Sequence, residues 1–133
     1  KDEENINNKN ILIAALLVHA AKIDDSYTDV EKKIIKKALI NLSAIKSNEA
    51  EELLKKAEKI EQESNQIVTF TREIKKNSME FRLKIIEILW KIVYSDGSSD
   101  NYESNLIRRV CGLLYIPDKD SGEIKLRVKK SLK

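Results

Sequence analysis

The chain has 133 residues and a net charge of +3 from 25 basic and 22 acidic side chains, with 35% charged and 41% hydrophobic residues. A chain of that length builds one core, which excludes two separate catalytic domains. Three glycines, one proline and 5% aromatic residues supply too few turns and strand runs for a sandwich or barrel, so the composition reads as all-α, with each helix divided into an apolar and a charged face.

Apolar Ile11, Ala14, Ala15, Leu17, Val18 and Ala21 recur at helical spacing and predict a first helix over 8–22, capped by Asn7 or Asn8. Asp24-Asp25-Ser26-Tyr27 then breaks it. A second helix follows Thr28, setting Ile34, Ile35, Ala38, Leu39 and Leu42 opposite Lys32, Lys33, Lys36 and Lys37. Ser47 is the expected cap of a third, over 48–62, which turns Ala50, Leu53, Leu54, Ala57 and Ile60 inward. Residues 67–76 read as a short fourth helix. Ser78 caps a fifth that carries Phe81, Ile85, Ile88, Leu89, Ile92 and Val93 down to Tyr94. After a second break at 95–99, Asp100 caps a sixth with Leu106, Ile107, Val110, Leu113 and Leu114, expected to stop at Ile116 because the residue before Pro117 is driven out of helical backbone. A last helix over 120–132 completes about seven. The cations after Gly122 put +4 there and leave −1 for the rest, so the body is neutral and the tail basic.

Cys111, the single cysteine, cannot close an internal disulfide and falls on the apolar stripe of the sixth helix, which predicts a buried structural thiol in a reducing cytoplasm. The longest uncharged stretch, 10–21, is about half of a membrane span. The charged residues before it do not make a secretory leader, so the expected location is cytoplasmic. The chain opens at Lys1 rather than at a methionine, which leaves room for a preceding segment.

An internal repeat organises the chain: a shift of 72 residues lays 16–42 over 88–114 without a gap. Leu17 meets Leu89, Ile35 meets Ile107 and Leu42 meets Leu114. Amphipathic helices alone would not also align Asp24 with Asp96, Ser26 with Ser98, Glu31 with Glu103, and Lys36-Lys37 with Arg108-Arg109. The repeated unit is a helix, an acidic turn and a helix, and two such hairpins invite a pseudo-twofold packing bridged by the third and fourth helices.

In each copy a capping residue stands three before a glutamate, Thr28 before Glu31 and Asp100 before Glu103, which is the spacing of a capping box. Capping does not account for Asp24 and Asp96, each at the end of the preceding helix, where a carboxylate meets the negative end of the helix dipole. Either a neighbouring lysine or a bound divalent cation compensates. A cation would lie among Asp24 and Glu31 in the first turn, or Asp96, Asp100 and Glu103 in the second, with turn oxygens completing the set. Such oxygen ligands suit Mg²⁺, Ca²⁺ or Mn²⁺, whereas one His and one Cys disfavour zinc and copper. An EF-hand is excluded, since its glutamate stands about eleven positions after its first aspartate and the interval here is seven. The second turn, with three carboxylates and Gly97, is the stronger candidate.

Phe70-Thr71-Arg72, Leu89-Trp90, Asp96-Gly97 with Asp100 and Glu103, and Leu106-Ile107-Arg108-Arg109 resemble in order the TerB-like tellurite-resistance domain, over 16–128. The resemblance implies a compact array of about seven helices, a link to tellurite resistance and chemical stress, and metal binding at acidic turns that fall here on Asp24 and Glu31 and on Asp96, Gly97, Asp100 and Glu103. The first turn departs from the family pattern, with Asp25 in place of the usual glycine and Thr28 where an acid is common.

Enzymatic function finds no support, since the chain has no glycine-rich phosphate loop and no nucleophile elbow, and Leu16 rather than Glu precedes His19 by three, so the Glu-x-x-His pair of di-iron bundles is missing. His19 reads as a partly buried packing residue. The basic strips lack interleaved aromatics for base stacking, so no nucleic acid is expected. The tail from Lys125 offers at most a peripheral membrane contact. Trp90 and Tyr94 read as core, while Tyr27 and Tyr102 near the acidic turns can line an interaction patch. The expectation is therefore a non-enzymatic stress-linked accessory module with a protein partner, whose acidic turns are candidate sites for a divalent cation. The alternative is a helical adaptor without metal, in which the turns serve only as helix caps.

Overall fold

The computed structural model describes residues 2–23, 27–63, 67–96 and 101–131, with side chains for all of these except 2–8, 96 and 101–104. Seven α-helices run through them: α1 (Asp2–Ala21), α2 (Asp29–Ser43), α3 (Ser47–Glu63), α4 (Ile67–Thr71), α5 (Met79–Val93), α6 (Asn101–Leu113) and α7 (Asp118–Ser131). Single 3₁₀ turns stand at Ile74–Lys76 and Tyr94–Asp96, and no strand occurs among the described residues. The all-α expectation is met.

The core is organised by α1 and α5. The spacing in α1 predicts one apolar stripe, yet all six positions of 13–18 are buried, and Ala20 and Ala21 with them. The cause is enclosure: α2, α3, α4 and α5 all pack against this helix, and a helix apolar on every side belongs in a core. Helix α5 buries Ile85, Ile86, Ile88, Leu89, Trp90, Ile92 and Val93 against α1, α2, α6 and α7.

Helix ends follow from local chemistry. Thr28 and Ser78 cap α2 and α5 as expected, and the Ser78 hydroxyl accepts from the Phe81 N–H at 3.2 Å. For α3 the Lys46 carbonyl accepts the first helical bond, from the Ala50 N–H at 2.9 Å, so Ser47 lies inside the helix rather than capping it. The expected single helix over 67–76 is split. The Thr71 hydroxyl turns back onto the Ile67 and Val68 carbonyls at 2.9 and 3.2 Å, competing with helical continuation, and the Asn77 amide closes the following turn on the Glu73 and Ile74 carbonyls.

The end of α6 corrects the sequence expectation. The helix stops at Leu113 rather than Ile116, and the cause is not Pro117. Tyr115 takes a left-handed backbone, φ 57°. Its N–H reaches the Gly112 carbonyl at 3.4 Å while the Ile116 N–H reaches that of Cys111 at 2.9 Å, the paired bonds of a Schellman turn. The Pro117 carbonyl then accepts from Asp120 and Ser121, so α7 starts two residues earlier than predicted. Asp118 and Asp120 in its first turn and Lys129 and Lys130 in its last both favour its dipole. Arg82 of α5 donates to the Leu114 carbonyl at 2.6 Å, tying the end of α6 to the start of α5. No helix among the described residues is long and apolar enough to cross a membrane.

Candidate functional site

The first acidic turn leads into α2. Thr28 is extended, φ −86° and ψ 163°, which aims its hydroxyl at the free N–H groups of the first helical turn. Its Oγ1 accepts from the Glu31 N–H at 3.2 Å, and Glu31 Oε1 accepts from both the Thr28 N–H at 2.8 Å and the Thr28 hydroxyl at 3.0 Å. The capping box is therefore closed from both sides, with Glu31 only 5% exposed. Asp24, with Asp25 and Ser26, lies outside the described residues.

Around the box α1 and α3 contribute a second polar layer. The Tyr27 hydroxyl donates to Glu58 Oε2 at 2.6 Å, and the ammonium groups of Lys32 and Lys22 stand 4.9 and 5.9 Å from its ring centre. Burial first, then the bond to Glu58 and the negative charge of Glu58, Glu31 and Glu61, push the Tyr27 pKa well above the ordinary tyrosine value. Glu61 receives Lys22 Nζ on Oε1 and lies beside His19 Nδ1 through Oε2, both at 3.1 Å.

His19 is half-buried, its ring 6.3 Å from that of Phe70, so it packs as expected and also meets a carboxylate that the sequence reading did not assign to it. A signal was present. Glu61 continues the inward series Ala50, Leu53, Leu54, Ala57 at helical spacing, and an acid on a buried stripe demands a partner.

At the second turn, Asp96 closes the 3₁₀ turn after α5 and Glu103 occupies the third position of α6. Their side chains, like Asp100, Gly97 and the ring of Tyr102, lie outside the described residues. Glu31 is thus the one acidic-turn position whose side chain is described, and no group of three or more His, Cys, Asp or Glu capable of holding a metal ion occurs among the described residues.

Trp90 of α5 and Cys111 of α6 both meet Ser121 of α7 inside the fold. Trp90 Nε1 donates to Ser121 Oγ at 3.3 Å, and the Trp90 ring stacks on Tyr94 with centres 5.9 Å apart. Cys111 is buried as predicted. Burial pushes its thiol pKa up, against a smaller lowering by the Ser121 hydroxyl.

On the outer surface a groove of about 320 Å³ runs between α2 and α5. Ile34, Ala38 and Leu42 of α2 and Ile88 of α5 make its floor, and Lys37, Lys84 and Lys91 its rim. Sequence spacing placed those apolar residues in the core and Lys37 on a solvated face. The groove itself arises only when two helices far apart in the chain meet.

Neither curated proteins nor solved structures give a match to this chain. A family profile described as Tellurite resistance protein TerB matches residues 10–126, from the buried part of α1 to the penultimate turn of α7. With the all-helical array and a match over most of its length, the chain belongs to the TerB family.

Proposed function

We propose that this chain is a non-enzymatic TerB-type accessory domain that serves tellurite resistance or a related chemical-stress response in the cytoplasm by docking a protein partner. One observation carries the reading: the reactive side chains of the described interior are engaged with one another. Glu31 holds Thr28, Glu58 holds Tyr27, Glu61 holds His19 and Lys22, and Cys111 is buried against Ser121. Groups held in this way position helices, which supports a structural rather than a catalytic role for them. The surface offers charged helix faces and the α2–α5 groove, which suit recognition.

A second element is a divalent cation, Mg²⁺, Ca²⁺ or Mn²⁺, at the acidic turns. At the first turn Glu31 Oε1 already serves two Thr28 donors, which favours the second, where a connection of four residues between helical segments carries Asp100 and is flanked by Asp96 and, in the first turn of α6, Glu103. Those oxygen donors match hard cations. Calorimetric titration of the chelator-treated protein with each ion tests this element. Heat that disappears in Asp96→Ala and Glu103→Ala supports it, and no heat up to millimolar ion removes it. Partner adducts from crosslinking in cells that persist in chelator support the docking role independently of the ion.

A further inference from the structure

We infer that the α2–α5 groove is the docking site and that its occupant is an acidic amphipathic helix of a partner protein, an inference that rests on the docking role proposed above. Ile34, Ala38 and Leu42 are spaced four apart on α2, so the apolar floor runs for about 12 Å, roughly two helical turns. A helix laid in a groove presents apolar anchors at i, i+3 or i+4, and i+7 over a similar length. The volume of about 320 Å³ takes a few such side chains.

Charge selects the occupant. Lys37, Lys84 and Lys91 are exposed along both walls. The acid among them, Glu87, accepts from Arg127 of α7 at 3.0 Å, so its charge is offset from within the fold. Lys84 stands 4.0 Å from Glu80, while Lys37 and Lys91 have no ion-pair partner among the described residues. The rim is therefore positive, attracting a carboxylate-rich helix and repelling a basic one. A lipid surface fits less well. Ala38 and Ile88 are 7% and 8% exposed and lie recessed below the lysines, whereas binding to a bilayer needs an apolar face that protrudes.

The probe is a designed, fluorescently labelled helix of about four turns, with leucines at i, i+4 and i+7 and glutamates flanking them, read by anisotropy and amide NMR on the full chain. The expected result is saturable binding that weakens with added salt, with shifts concentrated in 34–42 and 84–91. Lys37→Glu, Lys84→Glu and Lys91→Glu together should weaken it about tenfold, with an unchanged helical spectrum showing that the variant folds. The same variant should prefer a lysine-flanked probe.

Absence of binding up to millimolar probe, equal binding of acidic and basic probes by the unmodified chain, or shifts outside the groove overturns the inference. So does binding to phosphatidylserine vesicles that the triple variant loses while the helical probe fails to bind. Photo-crosslinkers placed at Asn41 in the groove and at exposed Val68 on α4 separate this inference from the broader role. Adducts in cells from Val68 alone overturn the groove and leave docking standing, and adducts from neither overturn both. An Asn41 adduct competed by the acidic probe supports the groove.

Discussion

Replacing Tyr27 with Phe isolates a single hydroxyl. Tyr27 Oη donates to the Glu58 carboxylate at 2.6 Å, a bond to a charged acceptor that contributes about 1.5–3 kcal/mol when buried. Because Tyr27 is only half-buried, solvent screening brings the expected loss near neutral pH to about 1–2 kcal/mol. The ring contacts with Lys22 and Lys32 remain in Phe, so the hydroxyl alone is tested. The effect depends on pH in a fixed direction. Burial and three nearby glutamates raise the folded-state pKa of Tyr27, while the unfolded chain loses this proton at about pH 10. The stabilisation is therefore fully present below pH 10 and is lost above it, at up to about 1.4 kcal/mol per pH unit. Tyr27→Phe has no such proton, so its deficit against the unmodified chain should close by about pH 11. Urea unfolding followed by circular dichroism from neutral to alkaline pH measures the gap. A deficit that stays constant into that alkaline range refutes the assignment. Tyrosinate absorbance gives a second readout: the latest ionisation step of the folded chain should vanish in the variant.

Thr28→Ala opens the capping box and should cost about 1–2 kcal/mol, seen as a lower urea midpoint with an unchanged slope. A loss below a few tenths of a kcal/mol would mean that Glu31 is held by something other than Thr28. Tyr115→Gly should stabilise the chain by about 1 kcal/mol, since a left-handed residue with a Cβ is strained and Tyr115, 69% exposed, gives up little packing. Thermal unfolding checks it: Tm should rise by about 3–5 °C, and a fall would place Tyr115 in a packing role.

What the sequence disclosed and what it concealed divide along the range of the interactions. The helices, the Thr28–Glu31 box and the Ser78 cap are local, and residues three or four apart carry their own signature. The left-handed Tyr115 was hidden because that backbone belongs by preference to glycine, and Pro117 offered a simpler reason for the helix to stop. The contacts of Glu61 with His19 and Lys22, and of Glu58 with Tyr27, join α3 to residues 31 to 42 positions earlier, and no local pattern reports which acid will face which base. The same holds for the groove, whose two walls meet only after folding. Of the acidic turns, the sequence supplied the spacing and the structure supplied the bonding of Glu31 alone.

The enclosure of α1 also bears on how the chain is made. Its wall of buried residues ends at Ala21, while α5, the last helix to cover it, is complete only at Val93. At synthesis rates of about 5–20 residues per second, some 4–14 s separate those two points. Through that interval the stretch from Ile13 to Ala21 lacks its final cover, an uncharged ribbon of just the kind that holdase chaperones grip. Alleles that weaken α5 should therefore lower the yield of folded protein more than their equilibrium cost alone would require.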